Sequence, residues 1–371
     1  MRTREELIMN KRRWAPLLLT GFLLLPLAAC GGRDETSSQP GSASRSEGPS
    51  ISVIAPVEEP DSLYINPLTG EAAEEGFDAQ RPYAVMLNNL HKALPQVGVS
   101  KADVIYEIVA EGGITRMMAV FQDLDGTGDL ACVRSARDYY ASLAYGHDAI
   151  FIHAGGSPAA YDLMQSRNMS NIDFVNGPYY QMCWRDPERK KSAGTEHSLF
   201  TSSEKVLEYL PEKFARTHSG GFEVGWTFDR EAPEGGAQAS RLTVPFSKYK
   251  TGYFTYDQET GLYQIEQHIN GKDVPYVDGA NETPVAVSNV LVLYTDVNQV
   301  KGDDKGRMSV RTTGSGDGLL LRDGLLYEIT WQRDGEDSCY AFLDRLGHPI
   351  PLAVGSSYIN VVALDSQTEW E

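Results

Sequence analysis

Two arginines, a histidine and a glycine pair carry the chemistry that this chain most readily suggests. Arg134 and Arg137 stand in "CVRSARDYY", and His153 opens "HAGGSP" a little further on. The apolar run Ala149–His153 reads as a buried strand, and Ser157 with Pro158 reads as the cap and first turn of a helix. His153 then sits at the C-terminal end of a strand, where ligands collect in open α/β sheets. Gly155, Gly156 and Ser157 form a joint whose free N–H groups could cradle a phosphate or carboxylate. A second helix is expected from Ser135, whose Ser-x-x-Asp spacing to Asp138 is that of a capping signature. Arg134 and Arg137 at its start would be disfavoured by the helix dipole, by ~0.3–1 kcal/mol each. A bound anion or nearby carboxylates should compensate.

Such carboxylates are close in sequence. Glu107 and Glu111 are spaced to share one face of a regular strand, alongside the apolar Ile105 and Val109, and Arg116 follows across a Gly112-Gly113 turn. Charges on an otherwise apolar face either pair internally or line a cleft. Six residues, His153, Arg134, Arg137, Glu107, Glu111 and Arg116, are therefore expected to converge on one crevice faced by the two helix starts. Arg134, Arg137, Arg116, Gly155, Gly156 and Ser157 are the anion-binding candidates. His153, Glu107 and Glu111 are the candidates for acid–base work, with Asn88, Asn89 and His197 as accessories. Each has a plainer reading: a satisfied strand-end histidine, a structural Arg/Glu network, and a serine that only caps.

Other chemistries find less support. His153 and His197 alone make a poor metal set, no Cys-x-x-Cys pairing occurs, and no metal or cofactor is expected. No Gly-x-Ser-x-Gly elbow is present, and "GTGDL" and "GSGDG" lack the lysine of a phosphate-binding loop. Tyr253, Tyr256, Tyr263 and Trp331 could stack on sugars, although alternating strand aromatics usually pack.

The elements that must position these residues read as α+β. Residues 60–220 alternate strand and helix and predict an α/β domain with a mixed sheet, in which "YAVMLNN" is a strand ending at Asn88 and Asn89. Residues 221–371 are short β-rich runs broken by Gly and Asp, predicting a mostly antiparallel β domain of sandwich or open-barrel type. The join falls between Glu212 and Gly236, where Gly, Glu and Pro accumulate.

The N-terminus carries a different message. "MNKRRWAPLLLTGFLLLPLAAC" has a basic start, an apolar run too short to span, and small residues ending at Cys30, as in a secretory signal over residues 1–29. Met1 and Met9 are both candidate starts. Leu27-Ala28-Ala29-Cys30 resembles the lipobox of bacterial lipoproteins, which implies lipidation (a palmitate-type acyl group) on Cys30. Residues 30–59, rich in Gly, Ser and charge, then read as a flexible tether. The 371-residue chain has a net charge of −18, and cleavage before Cys30 would leave −21. That charge argues against nucleic acid and against broad adhesion to an anionic membrane, so acyl chains would have to hold the protein there. Cys132, Cys183 and Cys339 are scattered, and buried thiols are their simplest state.

"NPLTG", "RPYAVMLNN", "PQVGVSKADVIYEIVAEGGITRMMAVFQ", "VRSARDYY", "HAGGSP" and "HSLFTS" together resemble the YerB-like surface lipoproteins of Gram-positive bacteria, the DUF3048 family. "TDV", "TTGSGDGLLLRDG" and "ITWQR" are similar to that family's C-terminal β domain. Members tend to read Pro-His-Asn where this chain has Glu196-His197-Ser198. The resemblance implies an extracytoplasmic protein lipid-anchored to the cell membrane and brings no activity with it. The residues themselves suggest binding of an anionic ligand, a cell-wall polymer fragment or phosphate, in the Arg/His/Glu crevice. An envelope enzyme of phosphoryl or glycosyl chemistry and a non-catalytic envelope scaffold are the rival readings.

Overall fold

Short apolar runs bounded by Gly, Asn and Asp set the strands of this protein. The computed structural model describes residues 2–3 and 64–371 apart from 219 and 270, so the signal segment, Cys30 and the tether lie outside the described residues. In the first half, β1 (Tyr83–Asn88), β2 (Val104–Val109) and β3 (Thr115–Phe121) are buried along their whole length. Between β2 and β3 the chain reverses at Glu111–Gly113, where Gly112 and Gly113 take φ of 70° and 76°. A side chain disfavours that left-handed backbone, which is why glycines occupy the turn.

Next come β4 (Asp129–Ala131), α1 (Asp138–Gly146), β5 (Ile150–His153), α2 (Pro158–Ser166) and β6 (Asn171–Asp173). Then β7 (Cys183–Arg185), α3 (Pro187–Ser192) and β8 (Leu199–Ser202) follow, and β8 lies between β4 and β7 in a small separate sheet. The second half supplies β9 (Arg241–Ser247), β10 (Lys250–Asp257), β11 (Leu262–Ile269), β12 (Asn289–Thr295), β13 (Gly314–Arg322), β14 (Leu325–Arg333) and β15 (Ser357–Ala363).

Both halves build one large mixed sheet, in the order β14-β13-β12-β15-β2-β3-β1-β5-β6. Its seam is the parallel pairing of β15 with β2, from Ser357 opposite Val104 to Val361 opposite Ile108. β5 pairs in parallel with β1 and β6, as a strand–helix–strand reading of "AIFIH" and "HAGGSP" requires. β9, β10 and β11 form an antiparallel sheet that packs on one face of the large one.

Strand alternation sends successive side chains to opposite cores. Val85, Leu87, Met117, Ala119 and Val290 pack with Leu242, Val244 and Phe254 of the second sheet. Met86, Tyr106, Met118 and Leu291 pack with Tyr140, Leu143 and Ala160 of the helices. Asp278 pins the halves together: its carboxylate accepts from the Gly98 and Ser100 N–H groups, each at 2.8 Å, and from the Ser100 hydroxyl at 2.7 Å.

Helix α2 starts as its sequence implies. Ser157 accepts from the Ala160 N–H at 3.2 Å, with Pro158 in the first turn. Helix α1 does not start at Ser135. Its first residue is Asp138, and Arg137 occupies the cap position without a side-chain hydrogen bond to the helix. The reason lies in the neighbouring segment. Ala136 bridges Gly156, through Ala136 N–H to Gly155 O (2.9 Å) and Ser157 N–H to Ala136 O (3.2 Å), and this holds the chain extended past Ser135.

Candidate functional site

The crevice begins where three segments meet at the C-terminal ends of β5 and β6. Val133–Ser135 precede α1, Ala154–Gly156 follow β5, and Val175 and Asn176 follow β6. With Tyr161, Arg185, Thr195, Glu196 and Leu199 they line an open cleft of about 440 Å³. This is the position where a sheet with parallel neighbours leaves a ligand-sized gap.

Gly155 and Ser157 reach this region with their hydrogen-bonding groups committed. Asp173, at the end of β6, accepts from the Gly155 N–H at 2.7 Å, the Tyr161 hydroxyl at 2.7 Å and the Val175 N–H at 2.9 Å. Burial pushes the Asp173 carboxyl up, but these donors outweigh it and hold the group below its ordinary range. The Gly155 amide thus already serves an anion, one that belongs to the protein. Gly155 has φ of 74°, which turns its amide towards Asp173. Gly156 lines the cleft, and the Ser157 hydroxyl caps α2.

His153 is buried beneath this joint. Its Nδ1 lies 2.9 Å from Gly155 O and its Nε2 3.4 Å from Asn171 Oδ1, and its ring sits against Phe151 and Tyr161. Burial lowers its pKa, partly offset by Asp173. A neutral imidazole donating from Nδ1 to Gly155 O positions the Gly155 turn.

The charged candidates separate into groups. Arg116 and Arg137 both meet Glu111 on the helical side of the sheet, Arg116 at 3.4 Å and Arg137 through a short bond from its Nε. Arg116 also donates to Ser135 O at 2.5 Å and Arg137 to Ala136 O at 2.7 Å, so the two guanidinium groups brace the segment leading into α1. Burial and the neighbouring Arg137 push the pKa of Arg116 down to about 10, against the opposing pull of Glu111. Burial raises the Glu111 carboxyl, but the Arg137 bond and the two positive charges prevail and leave it below its ordinary value.

Glu107 is elsewhere. It faces the second sheet, where Lys250 Nζ lies 3.2 Å from its Oε1 and the two side chains are 1% and 3% exposed respectively. Asn89 Nδ2 donates to the same oxygen at 2.9 Å, the Thr115 hydroxyl joins it, and the Tyr358 hydroxyl donates to Oε2. The shared face expected of Glu107 and Glu111 fails because β2 ends at Val109 and Glu111 has already entered the turn. The six residues expected in one crevice are therefore divided: Arg134 on the cleft, Glu111 with Arg116 and Arg137 beside it, His153 below it, and Glu107 between the sheets.

Arg134 is the cleft's own cation. Its Nη2 lies 2.8 Å from Glu196 Oε2, and the side chains of Arg134 and Glu196 are 22% and 60% exposed. Arg134 holds the Glu196 carboxyl below its usual range by hydrogen bond and charge. Glu196 Oε1 lies 3.3 Å from His197 Nε2, while Asn88 Nδ2 donates to His197 Nδ1 at 2.9 Å. The chain Asn88–His197–Glu196–Arg134 thus runs from the core to the solvent. Burial lowers the His197 pKa, with Glu196 opposing.

Arg185, which sequence reading passed over, also lines the cleft and donates to Thr195 O at 2.5 Å. Its signal was the basic run "WRDPERKK" a few residues before His197. Asn89 and Asn88, adjacent in sequence, serve the two different networks because their side chains leave the strand in opposite directions. Among the described residues no group of three or more His, Cys, Asp or Glu could hold a metal ion. Cys132, Cys183 and Cys339 are free thiols, and burial raises the pKa of each. No helix of the described residues is long and apolar enough to cross a membrane.

Comparison with known proteins agrees with this architecture. Residues 68–218 match the family described as "Protein of unknown function (DUF3048) N-terminal domain", and residues 242–359 match its C-terminal domain. The Bacillus subtilis (strain 168) protein described as "Putative lipoprotein YerB" is 28% identical over 299 residues, covering 80% of this chain and 85% of the relative. The crystal structure of YerB from Bacillus subtilis superposes with a TM-score of 0.68 at 26% identity, over 82% of this chain and 99% of that one. With both of its domains present in order and its fold shared, the chain belongs to the DUF3048 family.

Proposed function

We propose that the protein is an extracytoplasmic lipoprotein, anchored through acylated Cys30, that binds an anionic ligand in the cleft between Arg134 and Arg185. A cell-wall polymer fragment or a phosphate group is the ligand class. One observation carries this reading: the carboxylate that neutralises Arg134 is Glu196, a side chain 60% exposed whose other oxygen lies against His197. An anion entering the cleft would replace Glu196 on Arg134, with Arg185, Tyr161 and Asn176 also lining the space it would occupy. Guanidinium groups suit this work because their planar forks match carboxylate and phosphate oxygens. Arg116 and Arg137 share one carboxylate close by and leave local positive charge in a chain of net −18.

Isothermal titration with orthophosphate and short wall-polymer fragments tests the cleft. Arg134→Ala should weaken binding at least tenfold with little change in melting temperature, and Glu196→Gln should strengthen it. Unchanged affinity in Arg134→Ala would remove the cleft from consideration. For the anchor, Cys30→Ala should release the protein from the membrane fraction. Membrane retention of that variant at its normal mature size would disprove the lipid attachment.

A further inference from the structure

We infer that the cleft is the end of a cationic track for an extended, repeating phosphate polymer rather than a pocket for one isolated anion. This rests on the anion reading above and names its ligand class. The track is built by one excursion of the chain. Residues 185–195 leave and return to the cleft rim, closed by the bond from Arg185 to Thr195 O at 2.5 Å. Within it, α3 carries Arg189, Lys190 and Lys191 in its last turn, and both lysines are exposed.

Arg189 is spent on architecture. It donates to Ala93 O at 2.9 Å and to Pro95 O at 2.5 Å, which ties the 91–95 loop to α3. That loop brings exposed Lys92 close enough to Glu196 to lower its pKa. Arg134 and Arg185 line the opening, Lys190 and Lys191 are exposed on the excursion that leaves and rejoins its rim, and Lys92 stands on the loop that Arg189 ties to α3. Of the acids beside them, Asp186 accepts from the Arg189 N–H as the cap of α3, Glu196 already neutralises Arg134, and exposed Glu188 shares α3 with the two lysines, which outnumber it.

Charge decides the partner. With 51 acidic residues against 33 Lys and Arg, most of this surface repels anions, and a basic strip is a local exception. A flexible polyanion can follow such a strip while avoiding the acidic remainder, with its end group seated on Arg134. A flat anionic bilayer would have to approach the whole molecule, whose net charge is −18. The polymer gains further from counterion release, since each phosphate neutralised frees condensed cations.

The test uses full-length Cys30→Ala protein, which lacks the acylation site, with long-chain inorganic polyphosphate and orthophosphate as probes. Polyphosphate should bind at least tenfold more tightly per chain, with log K falling against log salt at a slope of about −3 to −4 by analogy with nucleic acids. Lys190→Ala/Lys191→Ala should shorten that slope by roughly 1.4 and leave orthophosphate binding unchanged. Equal affinity for the two probes, with Arg134→Ala still abolishing both, would overturn the track and keep the single-anion cleft. Binding of neither probe would overturn both. Binding to phosphatidylcholine–phosphatidylglycerol vesicles without polyphosphate binding would replace the polymer with a membrane surface.

Discussion

Two ion-paired regions of this molecule share a composition and differ in everything that composition does not specify. Glu107 and Lys250 sit between two sheets, 1% and 3% exposed, with Asn89, Thr115, Tyr358 and Gln267 supplying hydrogen bonds. Arg134 and Glu196 sit at the rim of a cleft with solvent on one side. In the first region burial pushes the Lys250 pKa down while Glu107 pulls it back. In the second, exposure makes the pair weak and exchangeable. The sealed pair stitches the second half of the chain to the first, and the open one is the pair that the proposed anion would displace. Paired charges therefore mark structure or binding according to access to water.

The largest effect should come from unbalancing the sealed pair. Lys250→Ala or Glu107→Ala leaves one buried charge uncompensated and should cost about 3–5 kcal/mol in urea unfolding. Glu107→Gln combined with Lys250→Met should cost much less, because no bare charge remains. A loss below ~1 kcal/mol in both single variants would mean that water reaches the pair.

An intermediate effect concerns pH. His147 is buried against Tyr106 and Cys339, with Tyr106 Oη 2.8 Å from its Nε2. Burial, reinforced by Arg333 and His218, lowers its pKa from 6.5 to about 3. The unfolded chain therefore takes up a proton below about pH 6.5 that the folded protein refuses until about pH 3. The contribution to stability is complete above pH 6.5 and is lost progressively down to about pH 3. Asp103, raised to about 6 by burial, works in the opposite direction, so the total slope mixes the two. Comparing wild type with His147→Asn cancels Asp103. The stability gap between them should narrow by about 2–3 kcal/mol between pH 7 and pH 4.5. A constant gap would show that His147 is accessible to protons in the folded state.

The smallest effect tests the open region. Arg134→Ala and Glu196→Ala should each change stability by less than about 1 kcal/mol, the range of exposed ion pairs. A loss above ~2 kcal/mol would make that pair structural and erase the contrast drawn here.

Local signals proved readable where the chain itself closes the interaction. Ser157 and Pro158 start α2, and Gly112 and Gly113 turn the hairpin. The antiparallel second sheet and the strand-end position of "HAGGSP" follow from the same short-range rules. The candidate site was legible only in part. Arg134 and the Gly155–Gly156 joint do line the cleft, whereas Ser135 does not cap α1 because Ala136 bridges Gly156 in another segment.

What the sequence determined by itself was the alternation of strands and helices, the places where the chain turns, and a stock of charges near residues 107–153. These depend on backbone preferences and periodicities spanning a few residues. Only the tertiary structure decided which charge met which. Glu107 found Lys250 because β10 packs across β2, and Gly155 found Asp173 because β6 lies beside β5. Arg185 joined Arg134 because the 185–195 excursion returns to its own start. The energy of a charge depends on its distance from a partner and from water, and sequence separation fixes neither.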